Sequence, residues 1–118
     1  MSHPWKDLIV WQKSHELVLE VYRLTSCFPE NEKFGLIQQI RRSASSIPAN
    51  IVEGKSKKTD KEFASFLYNS RGSLEETRYH LLLSKDLEYI DKNQYDKLEN
   101  LAKEVSFLLN KLISTITK

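Results

Sequence analysis

Tyr95-Asp-Lys-Leu98-Glu-Asn-Leu101-Ala102-Lys-Glu-Val105-Ser-Phe-Leu108-Leu109-Asn-Lys-Leu112-Ile-Ser-Thr-Ile116 returns an apolar side chain every three or four residues. Successive side chains stand about 100° apart on a helix, whereas a half-buried strand alternates at every second residue. Tyr95, Leu98, Leu101, Ala102, Val105, Leu108, Leu109, Leu112 and Ile116 therefore form one stripe, and a helix packed along its whole length is predicted after Asp91.

The same spacing recurs upstream. A first helix is predicted from Leu8 to Cys27, with Asp7 as N-cap, Pro29 as terminator, and Val10, Ser14, Leu17, Val18, Val21, Leu24 and Phe28 facing inward. A second is predicted from a cap at Asn31 to Gly54, with Phe34, Ile37, Ile40, Ala44, Ile47 and Ile51 as its stripe. Pro48 lies inside it, lacks the N–H that would bond the Ala44 carbonyl and crowds that carbonyl with its ring, so a kink is expected there. Thr59-Asp-Lys-Glu62 reads as a capping box opening a third helix that reaches about Leu87, its stripe being Phe63, Phe66, Leu67, Ser70, Leu74, Thr77 and Leu81. Helices of about 20 residues with short connections give antiparallel neighbours. The expectation is an all-α, up-down-up-down four-helix bundle, residues 1–118 forming a single domain.

Composition narrows the alternatives. Three glycines and three prolines are too few to turn the chain of a sandwich or barrel. A lone cysteine, Cys27, excludes an internal disulfide and a cysteine-built metal centre, and fits a reducing compartment. The longest run without a charged residue or histidine, Ser43 to Val52, has 10 residues, half of what a membrane-spanning helix needs. The opening Met1-Ser-His-Pro-Trp-Lys-Asp7 lacks the order of a secretory signal, and a cytoplasmic protein without a membrane partner is expected.

One core needs one stripe per helix, and apolar residues are left over. On the third helix Tyr68, Gly72, Tyr79 and Leu83 fall opposite the core. Trp11, Leu19 and Tyr22 widen the arc of the first helix, and Phe107 lies off the stripe of the fourth. Scattered exposed apolar residues are ordinary. The ordered set on the third helix, with Gly72 allowing close backbone approach, is read as a contact between subunits of a homo-oligomer.

Charge is uneven. From Arg41 to Lys61 six basic residues (Arg41, Arg42, Lys55, Lys57, Lys58 and Lys61) face two acidic ones, a local +4 within a chain of net +2. Long cationic side chains gathered at one joint can reach phosphates with little geometric demand, although short lysine clusters also serve simply as solvated surface. No aromatic residue stands between Phe34 and Phe63 to add base stacking. Arg41 falls inside the apolar arc of the second helix and calls for a partner, a structural ion pair being the expected one. Arg42, Ser46, Asn50 and Glu53 form a polar stripe read as facing solvent.

Several apparent motifs fail. Gly54-Lys55-Ser56 resembles the end of a P-loop, but the glycine required five residues earlier is Ala49, and no strand precedes it. Di-iron bundles use Glu-x-x-His, whereas His15 follows Gln12 and His80 follows Thr77 at that spacing. Cys27 with His15 or His80 would make a nucleophile only if the fold joined them, and Glu75 and Glu76 point about 100° apart on a helix. No catalytic, cofactor or metal constellation is assigned.

Asp7-Leu-Ile-Val-Trp-Gln-Lys-Ser-His-Glu-Leu17, Tyr22-Arg-Leu-Thr25, Phe28-Pro29 and Phe34-Gly-Leu36 resemble the opening of the bacterial four helix bundle protein family, encoded by intervening sequences in 23S rRNA genes. Gln39-Ile-Arg-Arg-Ser-Ala44, Ser46-Ile-Pro-Ala-Asn-Ile-Val-Glu-Gly54, Glu62-Phe63 and Gly72-Ser-Leu-Glu-Glu76 continue the resemblance, which runs from about Asp7 to Ile90. It implies a ring-shaped homopentamer without enzymatic activity. The chain is also similar to accessory proteins of diversity-generating retroelements, basic pentameric bundles that work with nucleic acid. Two positions depart from the pattern: Val52 replaces an alanine, and Lys55-Ser-Lys-Lys58 replaces a Gly-Arg-type continuation. The function expected is association with RNA or DNA, the alternative being a protein-interaction scaffold.

Overall fold

Each apolar stripe folds as a helix in the computed structural model, which describes residues 3–118. The order is α1 (Ile9–Thr25), a short 3-10 turn (Glu30–Glu32), α2 (Leu36–Lys55), α3 (Asp60–Asp86) and α4 (Lys92–Ile116). Consecutive helices pack antiparallel and α1 closes on α4, giving a bundle of 43 × 24 × 23 Å. Leu17, Val21, Ile40, Ala44, Ile47, Ile51, Leu67, Leu74, Leu81, Ala102, Val105 and Leu109 are wholly buried where the four stripes meet.

The helix ends follow local hydrogen bonding more than the periodicity foretold. Asp91 accepts from the Gln94 N–H and Gln94 returns a bond to the Asp91 N–H, a complete capping box at α4. At α3 only half the box forms. Thr59 accepts from the Glu62 N–H, while the Glu62 carboxylate takes the Thr59 hydroxyl proton instead of the backbone N–H. Asp7 does not cap α1, whose N-cap is Leu8 with no side-chain bond. Nor does Asn31 cap α2. It lies in the 3-10 turn, and Glu32 supplies the acceptor for the Leu36 N–H, its carboxylate occupying the space where a side chain at Gly35 would stand. Because α2 begins only at Leu36, Phe34 precedes the stripe and is 83% exposed, not inward.

Pro48 is buried inside α2, and the helix is unbroken across it. The α2/α3 seam is lined with small residues. Thr77 donates to Ser43 at 2.9 Å, Ser46 and Ser73 share a bond of 2.9 Å, and Ser70 reaches the Ile47 carbonyl at 2.8 Å. A Cβ at Gly54 would stand 2.7 Å from that of Phe66, so glycine sets the closest approach of the two helices.

Candidate functional site

The basic joint is a tight turn between two well-ended helices. Backbone N–H groups of Ser56 and Lys57 return to the carbonyls of Glu53 and Gly54, the Ser56 hydroxyl adds a bond to the Glu53 carbonyl at 2.6 Å, and Thr59 opens α3. This leaves Lys55, Lys57, Lys58 and Lys61 exposed from the last residue of α2 to the first turn of α3. Among the described residues, none of these four lysines has a carboxylate within 4 Å, despite Glu53, Asp60 and Glu62 in the same stretch. Rings that are absent from the joint in sequence are present in space. The Lys55 ammonium lies 5.6 Å from the centre of the Phe63 ring and that of Lys57 5.1 Å from Phe66. Lys61 lines a groove of about 490 Å³ with Tyr68 and the end of α4, Ile116 to Lys118. Lys118 thus joins the basic end, a neighbour that local spacing had no means to reveal.

The two arginines belong elsewhere. Arg41 makes no ion pair among the described residues, contrary to expectation. Its Nε donates to the Thr25 hydroxyl at 2.8 Å, a second nitrogen reaches the Tyr22 carbonyl, and the guanidinium stacks 4.5 Å from the Tyr22 ring centre. It therefore ties α2 to the last turn of α1, adding to the Ser26 N–H that already reaches the Tyr22 carbonyl. Arg42 binds Glu76 and Gln39. Of the polar stripe, Arg42 and Glu53 are exposed as expected, whereas Ser46 and Asn50 are half-buried, with Asn50 bonded to Ser46 and Ser46 to Ser73 of α3. Burial raises the Glu76 carboxyl, but bonds from His80 and Arg42 outweigh it and hold the group below its ordinary range.

The leftover apolar residues divide as well. Tyr68 (46%), Tyr79 (58%) and Phe107 (67%) are exposed, as are Leu19 and Tyr22, and nothing lies within 4 Å of a Cβ built at Gly72. Leu83 is not on the outer face. It packs on the small cluster of Phe28, Leu36 and Ile90. Trp11 is partly covered, packing on the main core and stacking on His15.

The family model of the 23S rRNA-intervening sequence protein matches residues 6–111, which include the seam, the Gly54 contact and the lysine joint. The chain belongs to that family. The crystal structure of a protein of unknown function from the S23 ribosomal protein family of Bacteroides thetaiotaomicron superposes with a TM-score of 0.83 at 32% identity, covering 89% of this chain and 98% of the other. No curated protein matches. His3, Trp5 and Lys118 lie outside the matched stretch.

The chemical candidates are not brought together. Cys27 is exposed in a groove with Glu20, Arg23, Tyr89 and Lys97 and without a histidine. Glu75 bonds Arg78, while Glu76 bonds Arg42 and His80. Among the described residues no group of three or more His, Cys, Asp or Glu is placed to hold a metal, and no helix is long and apolar enough to cross a membrane.

Proposed function

We propose that this chain acts without catalysis, as a homo-oligomer that associates with RNA or DNA through Lys55, Lys57, Lys58 and Lys61. The observation that carries the reading is the absence of any carboxylate within 4 Å of these four lysines among the described residues. An ammonium already paired with a carboxylate gives up that pairing on meeting phosphate, whereas these release only water and counterions. The family's name supports a nucleic-acid setting, and a ring of five copies, the expected assembly, would repeat the patch. Salt-dependent binding follows. Changing all four lysines to Ala lowers the slope of log K against log salt by about 3 for a single strand, measured by anisotropy with labelled RNA. An unchanged slope overturns the site.

The exposed row Tyr68, Gly72 and Tyr79 favours a second reading, a scaffold that presents α3 to another protein. Pull-down from nuclease-treated lysate separates the two: a partner retained without nucleic acid favours the scaffold.

A further inference from the structure

The first residues of the chain build an aromatic row beside the basic end. His3, Pro4, Trp5 and Lys6 form a turn closed by the Lys6 N–H on the His3 carbonyl at 3.1 Å, with proline at the position whose φ suits it. The turn is pinned to α1 by the Gln12 amide, which donates to the Lys6 carbonyl at 2.9 Å. It seats Trp5 against Trp11, ring centres 4.7 Å apart and inclined at 54°. Each indole carries an imidazole nearly parallel to it: His3 on Trp5 at 4.8 Å and 7°, His15 on Trp11 at 5.0 Å and 9°. Both histidines are exposed.

The antiparallel register places this row next to the lysine joint. Arg41 of α2 bonds Tyr22 and Thr25 of α1. Trp11 lies eleven and fourteen residues before those two, and equal steps from Arg41 along α2 arrive at Val52 and Lys55. The half-exposed indoles and the four lysines thus share one end of the bundle, and Lys6 adds a further exposed cation in the turn that carries Trp5.

We infer that this end binds a single strand, whose phosphates run along the lysines while a base stacks on Trp5 in the place that His3 holds. This rests on the nucleic-acid reading proposed above and specifies its ligand. A flat ring already lies parallel on Trp5, and among the described residues no side-chain hydrogen bond fixes His3 there. A base offers a larger π-face and brings its phosphate to the ammonium groups. In a duplex the base faces are already stacked, so duplexes reach only the lysines. Stacking reads no sugar hydroxyl, so RNA and DNA single strands are both expected to bind.

The chain contains two tryptophans, and both are in this row, so intrinsic emission reports the site alone. The full-length protein is titrated with oligouridylate and oligothymidylate of about ten nucleotides, with an abasic strand of the same length and with a duplex, binding being followed independently by anisotropy. Base-bearing single strands are expected to quench the tryptophan emission, and the abasic strand and duplex to bind without quenching. Trp5→Ala weakens binding of the base-bearing strands about ten-fold and leaves the abasic strand unaffected. Trp5→Phe retains most of the affinity, and His3→Ala does not weaken it. Circular dichroism checks that each variant keeps its helices. Binding of every strand without quenching, with Trp5→Ala indistinguishable from the parent, overturns the stacking site and leaves the lysine site standing. Binding of no strand at all overturns both.

Discussion

Where α1 ends and α4 begins, the bundle is closed by apolar side chains. Phe28, Leu36 and Ile90 are buried there, Leu24, Leu83 and Tyr89 pack around them, and the Tyr89 hydroxyl donates to Glu32 at 2.8 Å. The opposite end has four lysines without a carboxylate partner among the described residues, an open aromatic row and a groove between α3 and α4. Burial and bond satisfaction fix structure, whereas exposed and uncompensated groups are what a ligand engages. On the proposed nucleic-acid reading, stability rests mainly on one end and recognition on the other.

Removing an aromatic anchor tests this most severely. Phe28→Ala empties the closed end of a side chain only 7% exposed and is expected to cost about 3 kcal/mol in urea unfolding. Substituting Lys55, Lys57, Lys58 and Lys61 with Ala at the other end shifts stability by less than about 0.5 kcal/mol each. A lysine variant that unfolds as readily as Phe28→Ala breaks the division.

Gly54 sharpens the contrast, because it is the rigid element of the open end. A Cβ there would lie 2.7 Å from Phe66 Cβ and 2.9 Å from a Phe63 ring carbon, neither of which can swing aside as a flexible side-chain tip does. Gly54→Val is expected to destabilise by about 2 kcal/mol through overpacking. It also parts the helices that present Lys55 and Lys61, so RNA affinity falls with stability, unlike for Phe28→Ala measured where it is folded.

Much of this was legible because helical periodicity is local. Leu98, Ala102, Val105 and Leu109 lie where their spacing put them, and so do Ile40, Ala44, Ile47 and Ile51. What failed depended either on how a helix end is capped or on partners distant in sequence. Phe34 continues the spacing of α2, yet Glu32 and Gly35 delay the helix past it. Arg42 meets Glu76 across 34 residues, and the facing serines of α2 and α3 show their meaning only once paired. Those serines and Thr77, repeating at helical spacing on two segments, were the available sign of a close seam. The aromatic row was hidden differently: Trp5 and His3 precede the periodic region, and only the folded turn lays His3 on Trp5 and Trp5 on Trp11.

The closed end also contains one improvable residue. Glu88 has φ of 64° after α3, where the Tyr89 and Glu88 N–H groups bond the carbonyls of Ser84 and Lys85. This is the Schellman arrangement, in which glycine avoids the Cβ strain of the left-handed region. Glu88→Gly is expected to raise stability by about 1 kcal/mol, seen as a higher urea midpoint with an unchanged m-value. No gain would mean that the Glu88 side chain contributes more to this end than the strain it causes.

The smallest effect is pH-dependent and confined to the closed end. Glu32 is held below the ordinary carboxylate range, first by the Leu36 N–H and then by the Tyr89 hydroxyl, with desolvation opposing. A carboxyl lowered in the folded state stabilises above its unfolded value, and this is lost as pH falls through the folded one. Tyr89 is raised by its bond to Glu32, by desolvation and by the Glu32 charge, so its contribution is complete below the ordinary phenol value and disappears as pH rises through the folded one. Both groups are partly exposed, and solvent screens the pair. Tyr89→Phe should therefore lessen the alkaline loss of melting temperature, to which Tyr95, raised chiefly by burial, also contributes, and should lessen the acid one only in part, since the stronger Leu36 bond remains. Glu32→Gln should lessen both, leaving the acid share of Glu76 and the alkaline share of Tyr95, read by circular dichroism melts near pH 3, 7 and about 11. Because the lysine joint holds no such bonded pair, its quadruple Ala variant should keep the parent's acid and alkaline profile. A profile altered there and not by Tyr89→Phe would reverse the assignment of the two ends.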